Sequence, residues 1–495
     1  MNVADTERML ALMSERGMVP TDEAKDADLI IINGCSVRDK AVHKAVSFLG
    51  EQQVLKNNHL GKNNRGVKIT GKQPIIALAG CVGQLDKGEI FSRAPYLDFV
   101  FGPDAIDHLP ELVHKAESGQ KHFVQTTFDK TLAYSTQTKV HGSKAAAFVN
   151  IMKGCDKYCT YCIVPFTRGR EKSRTIQEVL EDLVVLVSKG VREVTLLGQN
   201  VNSFGKGNEN VHGYEPKELH SAIGKVGPRE GEENLPQLIY AIESDPRLEK
   251  LKRLRFTSSH PLDFSDELIE CFVKCKKLAK HLHLPVQSGS NRVLTKMGRH
   301  HQIENYISQM KRLKALVPEV GLSTDLIVGF PTETEEEFQE TIKLLDEIQF
   351  DNIFAFAYSP RPGTRAAKMV DDIPRSVKTR RLNELLQYQL VISKKLYQAR
   401  IGQTMEVLVE QIAKTQNMVQ EGETGRVWTA RTTCNRPVNF IDHSNRNYLG
   451  QFLKVKITGA TSLSLSGELI HDPNFAESSD SIKYTSSNTT SEIVQ

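Results

Sequence analysis

No run in this 495-residue chain approaches the roughly 20 consecutive apolar residues that a membrane-spanning helix needs, which excludes an integral helical membrane protein and any membrane partner of that kind. The first residues, Met1 to Arg8, hold neither an apolar signal core nor an Arg-rich transit pattern, so a cytoplasmic location is expected. Cysteine is sparse, 8 in all, and in a reducing compartment such thiols are metal ligands or buried side chains rather than disulfides. Charge of one sign is also lacking. A formal net charge of +4 excludes a globally basic nucleic-acid binder, and any such partner must be held by local patches. Tryptophan occurs once, and no tandem repeat is present. What remains, 39% hydrophobic and 25% charged residues, is the composition of a globular protein too long for one core.

Three of the 8 cysteines are concentrated in Cys155-Asp156-Lys157-Tyr158-Cys159-Thr160-Tyr161-Cys162. Thiolates are soft ligands, and a [4Fe–4S] cube is commonly held by four of them. Three protein ligands leave one iron open to chelate a substrate, and the amino and carboxylate groups of S-adenosylmethionine suit it. A zinc knuckle completed by a distant ligand, or a redox thiol pair, remains the alternative on residue type alone. Cys35 and Cys81 each follow an apolar run, where open α/β sheets place chemistry, and could converge on a second metal site or be ordinary buried cysteines.

Continuous apolar runs at 29–33, 75–79 and 97–101, with helical patterns between them, predict a doubly wound α/β unit over residues 1–125, in which Asp5 and Thr6 cap a first helix ended by Gly17. Residues 56–72 read as a polar surface loop. From 145 to 398 strand and helix signals alternate, with strands at 148–152, 193–197, 253–257, 281–286, 322–328 and 353–358, interrupted by a Gly/Glu/Asn-rich insertion at 205–234. Six units predict a partial (β/α)6 barrel with the cysteine loop at the end where barrels carry active sites, followed by a long helix from Arg375 to about Arg400. Strand signals at 404–409, 438–441, 452–457 and 463–470 predict a small β-barrel over 399–472, and 473–495 is a Ser/Thr-rich tail expected to be disordered.

These residues together resemble the radical S-adenosylmethionine methylthiotransferases. The resemblance lies in Cys-x3-Cys-x2-Cys with Tyr161 before the last thiol, and in strings at 1–9, 33–38, 79–82, 93–95, 100–102, 197–203, 258–261, 283–290, 325–331 and 358–364. It spans Met1 to about Asp472. It implies two [4Fe–4S] clusters: a radical cluster on Cys155, Cys159 and Cys162, and an auxiliary one on Cys35, Cys81 and a third cysteine. Family members carry that third thiol in Tyr-Gly-Cys-Gln directly before Met-Asn, and this sequence starts at that Met. The expectation is an incomplete auxiliary site lacking a thiol and a first strand. The C-terminal barrel is implied to be an RNA-binding TRAM domain. The branch resembled most, through Arg431, Asn435, Arg436, Asn439 and Phe440, methylthiolates isopentenyl-adenosine in tRNA next to the anticodon. Sister branches act on threonylcarbamoyl-adenosine in tRNA or on a ribosomal-protein aspartate, and a redox-sensing RNA-binding protein is the alternative from another class. The expected partners are that tRNA, an electron donor such as a flavodoxin or ferredoxin, and iron–sulfur assembly proteins, with the enzyme a monomer.

Further residues stand out on chemistry. Gly198-Gln199-Asn200 ends a barrel strand, so Gln199 and Asn200 are candidate cofactor or substrate contacts, with loop capping as the alternative. Tyr161 is expected to offer ring or backbone to the cofactor adenine. Leu268, Cys271, Phe272 and Cys275 share one helix face, which favours core packing over metal binding, and Cys434 is read as structural. His281 and His283 share a strand face, and Asp325 is placed towards the barrel interior beside a partner. Basic groups cluster at 274–280 and 375–381. In the last domain Arg426, Arg431 and Arg436 interleave with Trp428 and Asn435 as candidate RNA contacts, guanidinium for phosphate and indole for a base.

Overall fold

A computed structural model describes residues 1–36, 39–59, 73–128, 145–206, 233–414, 416, 425–444 and 446–470. The tail 473–495, and most of the segments 56–72 and 205–234 read as loop and insertion, lie outside these residues.

The first unit opens with α1 (Asn2–Glu15) and alternates through β1 (Leu29–Gly34), α2 (Asp39–His59), β2 (Ile75–Ala79), α3 (Gly80–Asp86), β3 (Phe99–Phe101), α4 (Leu109–Glu117) and β4 (Phe123–Gln125). The four strands are parallel in the order β1-β2-β3-β4. Both faces are covered, as continuous apolar strands require. Ala77, Ala79, Phe99 and Phe101 pack with Met9, Met13 and Leu109, whereas Ile30, Ile32, Ile76, Leu78 and Val100 pack with Ala45, Leu49 and Val82. β4 is not among the anticipated strands, although Phe123-Val124-Gln125-Thr126-Thr127 is rich in strand-forming residues. Helix α1 starts at Asn2, not at a cap formed by Asp5 or Thr6. Helix α2 continues to His59, so Lys56 is not in a surface loop: its buried ammonium pairs with Asp98 and donates to Tyr96 O at 2.7 Å.

The central unit begins with β5 (Ala146–Asn150) and a short antiparallel pair, β6 (Met152–Lys153) and β7 (Lys172–Ser173), that brackets the cysteine loop and α5 (Val164–Arg168). It continues with α6 (Ile176–Ser188), β8 (Glu193–Leu197), α7 (Leu235–Ser244), β9 (Arg253–Phe256), α8 (Asp266–Lys274), β10 (His281–His283), α9 (Asn291–Lys296), α10 (Ile303–Leu316), β11 (Gly321–Val328), α11 (Glu335–Ile348), β12 (Asn352–Ala357) and α12 (Arg375–Gln398). The six barrel strands are those anticipated. They form two parallel sheets, β5-β8-β9 and β10-β11-β12, joined by a bridge between Leu254 and Leu278; among the described residues β5 and β12 are the edges. Strand alternation divides the side chains. Val149, Val194, Leu254, Leu282, Leu326 and Ile353 face the helices in one large core. Phe148, Thr195, Arg255, His283, Asp325 and Phe354, one position removed, face inward.

The C-terminal unit is a closed barrel of β13 (Thr404–Ile412), β14 (Arg426–Thr432), β15 (Pro437–Asp442), β16 (Phe452–Ala460) and β17 (Leu465–Leu469), ordered β13-β14-β15-β17-β16. The turn between β14 and β15, with Asn435 at φ +67°, docks on the N-terminal ends of the central strands. Arg255 donates to Thr432 O (2.8 Å) and Thr433 O (3.1 Å), and Arg253 to Arg431 O (3.3 Å). Both guanidinium groups are held by Glu193. Arg436 crosses in the other direction to Asp351 and also bonds Cys434.

This docking corrects two expected RNA contacts. Arg436 is 2% exposed and belongs to the domain interface. Trp428 is 1% exposed and packs edge-on to Tyr448 in the barrel core, where no base can stack on it. Breaking a buried ion pair leaves an uncompensated charge. Arg436→Ala is therefore expected to destabilise the docked barrel by about 3–5 kcal/mol, whereas Asp351→Leu with Arg436→Met together costs much less. Urea unfolding of the two variants against wild type checks this.

Candidate active site

The cysteine loop occupies the C-terminal end of the barrel, opposite the docked C-terminal unit. It leaves β6 through Gly154, at φ +78°, where a Cβ would lie 1.9 Å from Arg170 O. Only glycine allows the two ends of the loop to approach so closely. The loop is then pinned from all sides. Arg170 forks onto Asp156 (2.7 and 3.0 Å), and Lys157 pairs with Asp263 at 2.8 Å. Tyr158 O accepts from Arg365 (2.8 Å), and Thr160 N–H donates to Met297 O (2.8 Å). Tyr158 holds φ at +48°, a left-handed conformation that these contacts over-determine.

Within this frame Cys159 is buried, and Cys155 and Cys162 are half-buried. Burial, then Glu171, then the neighbouring thiols push the Cys155 thiol well up. Burial and then Cys159 push Cys162 up to about 12. Cys155 and Cys162 thus resist ionising in this setting, and a bound cation would reverse that. Arg299 reaches Cys159 Sγ at 3.7 Å, and His260 Nε2 lies 3.9 Å from the same sulfur. Burial and then Arg299 depress both His260 and His301, the latter to about 4, so both rings are neutral at pH 7. The fixed positive charge at the sulfurs is the Arg299 guanidinium. Among the described residues no three His, Cys, Asp or Glu side chains are gathered as a metal shell. The donor set nevertheless suits a soft, sulfur-bound metal group. Around it Asn150 Oδ1, Asn200 Oδ1, Ser259 Oγ, Arg299 Nε and Tyr358 OH are buried without a hydrogen-bonding partner, as the wall of a polar ligand site would be.

Gln199 Oε1 accepts the Gly154 N–H at 2.5 Å, so its carbonyl caps the start of the loop. Asn200 donates to Asp263 (2.8 Å) and leaves its oxygen unpartnered. Tyr161 is half-buried, edge-on to Phe330. Arg168, Glu171, Asp263, His260 and Arg299 were not singled out from sequence. The dense charge of Arg168-Gly169-Arg170-Glu171 directly after the loop was the available signal.

Cys35 and Cys81 are brought to equivalent strand ends: Gly34 and Gly80, the residues before them, are bridged in parallel register. Arg168 Nε donates to Cys81 Sγ at 3.4 Å, and its Nη2 pairs with Asp5 at 2.6 Å. The Cys81 thiol thus meets the helix that follows the cysteine loop. Cys271 and Cys275 are fully buried in the central core, as the helix-face pattern anticipates. Cys434 is buried at the domain interface. The two basic clusters are largely consumed locally: Lys274 pairs with Glu270, Lys277 and Lys280 donate to backbone carbonyls, Lys378 pairs with Asp371, and Arg380 and Arg381 pair with Glu335. In the last barrel, Arg431 forks onto Glu410 and remains a third exposed, while Arg426 lies over the edge of the core at Trp428.

Residues 149–345 match the Radical SAM superfamily, 1–102 the Uncharacterized protein family UPF0004, and 398–470 the TRAM domain. The chain is 40% identical over 471 residues, 95% of its length and 93% of the relative's, to the tRNA-2-methylthio-N(6)-dimethylallyladenosine synthase of Bdellovibrio bacteriovorus. It is 39% identical over 475 residues, 95% and 97% of the two chains, to the synthase of that name from Francisella tularensis subsp. holarctica. Among solved structures it is similar to the radical S-adenosylmethionine methyltransferase TsrM from Kitasatospora setae, at 14% identity and a TM-score of 0.48, covering 72% of this chain and 66% of that one. No described helix is long and apolar enough to cross a membrane.

Gly154→Ala cannot be accommodated without opening the loop. After anaerobic reconstitution it is expected to retain well under half the iron per chain of wild type, with the global fold intact by circular dichroism.

Proposed function

The chain belongs to the tRNA-2-methylthio-N(6)-dimethylallyladenosine synthase family, and on that premise we propose that it places a methylthio group on C2 of N6-isopentenyl-adenosine next to the anticodon of tRNA. The observation that carries this reading is the cysteine loop: three thiols within eight residues, pinned at the mouth of a six-stranded barrel beside unpartnered buried polar atoms. Cys155, Cys159 and Cys162 would hold a [4Fe–4S] cluster, and Cys35 and Cys81 would serve a second one. When bound, these clusters and S-adenosylmethionine supply one-electron and sulfur chemistry at a C–H bond that no acid or base can open at neutral pH.

The chain's own part is binding, orientation and exclusion of water. Arg299 offsets negative charge gathered on the sulfurs. Asn200, Ser259 and Tyr358 offer polar contacts to the cofactor, and Gln199 steadies the loop beneath it. Tyr161 supports the cofactor's adenine from its seat on Phe330. Arg426 and Arg431 are the surface candidates for RNA; Asn435 lies in the docked turn, and Trp428 and Arg436 are excluded by burial. A flavodoxin- or ferredoxin-like electron donor, iron–sulfur assembly proteins, a cytoplasmic location and a monomeric state belong to the same reading. The relatives' shared name favours isopentenyl-adenosine over threonylcarbamoyl-adenosine or a ribosomal-protein aspartate as acceptor.

Reduced, reconstituted protein is expected to form 5′-deoxyadenosine from S-adenosylmethionine, and digested tRNA to show the mass of methylthio-isopentenyl-adenosine. Cys159→Ala should abolish both. Undiminished cofactor cleavage in that variant would sink the site assignment. Cleavage absent from wild type would favour a redox-sensing RNA-binding protein. For the RNA surface, Arg426→Ala is expected to weaken tRNA binding a few-fold and to lower the slope of log affinity against log salt by about one phosphate contact. Filter binding at several salt concentrations reads both.

A further inference from the structure

Following the barrel interior from base to mouth, the inward side chains are satisfied until one level. At the base Arg253 and Arg255 are held by Glu193 and by the docked turn. Above them Ser323 Oγ lies 3.0 Å from both His281 Nε2 and His283 Nδ1, so one hydroxyl links the two rings. The other ring nitrogen of His283, Nε2, faces Asp325 Oδ1 at 3.5 Å. There the chain of contacts stops. Asp325 keeps 31% of its side chain exposed, and among the described residues His283 is its sole side-chain partner. An ionised carboxylate only accepts hydrogen bonds and has room for several. It needs a donor from elsewhere.

Apolar surface lies open on the two edge strands, Phe148 in register with Thr195 and Arg255 and Phe354 in register with Asp325. Phe148 on edge strand β5 is 37% exposed, and Phe354 on edge strand β12 is 43% exposed. Neither faces the helices: Val149 and Ile353, their neighbours in sequence, do. Phe354 is paired in register with Asp325, and its ring stands edge-on to His283 at 5.6 Å. An aromatic ring left open on the inner wall, beside one under-satisfied acceptor, describes a site for a flat apolar ring that carries a hydrogen-bond donor.

We propose that Phe354 contacts the ring of the acceptor base, and that Asp325, steadied by His283, accepts the hydrogen bond of its N6–H. This assignment rests on the reading of the acceptor as N6-isopentenyl-adenosine, whose exocyclic nitrogen keeps a single proton. Asp325 is then the residue that reads that proton, and His283 and Ser323 are positioning residues.

The test uses the reconstituted full chain and two anticodon stem-loops. One carries N6-isopentenyl-adenosine, and the other carries N6-methyl-N6-isopentenyl-adenosine, which has no N6–H. Wild type is expected to prefer the first by about 10–100-fold in kcat/KM, the range for a hydrogen bond to a charged group. Asp325→Ala should lose that factor on the first stem-loop and little on the second, bringing the ratio near one. Asp325→Asn keeps the shape and an acceptor oxygen, and should give an intermediate ratio. Phe354→Leu should raise KM for both acceptors while preserving the ratio. An unchanged ratio in the Asp325 variants, or equal losses on both stem-loops, overturns the assignment while leaving the reaction in place. Wild type that cleaves S-adenosylmethionine but modifies neither stem-loop overturns the reading of the acceptor, and the assignment with it.

Discussion

One buried guanidinium, that of Arg168, joins the two halves of the chemistry. It sits on the helix that leaves the cysteine loop, and it reaches into the first unit to Asp5 and Asn2 of α1 and to the Cys81 sulfur at the start of α3. A cation this deep survives only with its donors taken up. Asp5, Asn2 and Cys81 take them up from two separate elements, so the first unit has one orientation in which the cation is satisfied. Gly34 and Gly80 then align the second thiol pair across neighbouring strands, with the Cys81 sulfur against Arg168. The relative placement of the two units is fixed by this charge together with the Lys153–Asp104 pair at 2.8 Å.

The two ends of the central barrel are used differently. At the C-terminal ends of the strands the backbone is looped, partly strained and lined with unpaired polar atoms, which suits ligand binding. At the N-terminal ends the inward charges are neutralised in a closed network, and the turn at 432–436 plugs the opening. Glu193 is central there, because it balances Arg253 and Arg255 together and so frees both to donate to the carbonyls of the turn. The C-terminal barrel is thereby fixed by hydrogen bonds to its backbone and by the Asp351–Arg436 pair.

Much of this was legible in the sequence, for physical reasons. Buried parallel strands must be apolar on both faces, and the runs at 29–33 and 75–79 announced themselves. The barrel strands could be counted because each alternates with a helix. The cysteine spacing is chemically restrictive, so it marked its loop. What was missed shares one property: its burial is decided by a partner distant in sequence. Arg436 looks like a surface arginine until Asp351, 85 residues earlier, is brought against it. Trp428 looks like a stacking platform until β14 closes into a barrel over it. β4, three residues long, is a strand only because β3 offers its edge. Lys56 reads as part of a loop until Asp98 draws it inward.

The gap between β5 and β12 carries a topological consequence. A closed eight-stranded barrel admits only what can enter end-on, and that favours small, detached molecules. Among the described residues no strand joins β5 to β12, so six strands leave this wall unclosed by backbone hydrogen bonds. A wall of that kind is the geometry in which a residue still bonded to neighbours on both sides could enter sideways while the polymer that carries it stays outside. Two more strands would close that door, so the number of strands in the wall decides whether the enclosed chemistry can reach a monomer within a chain.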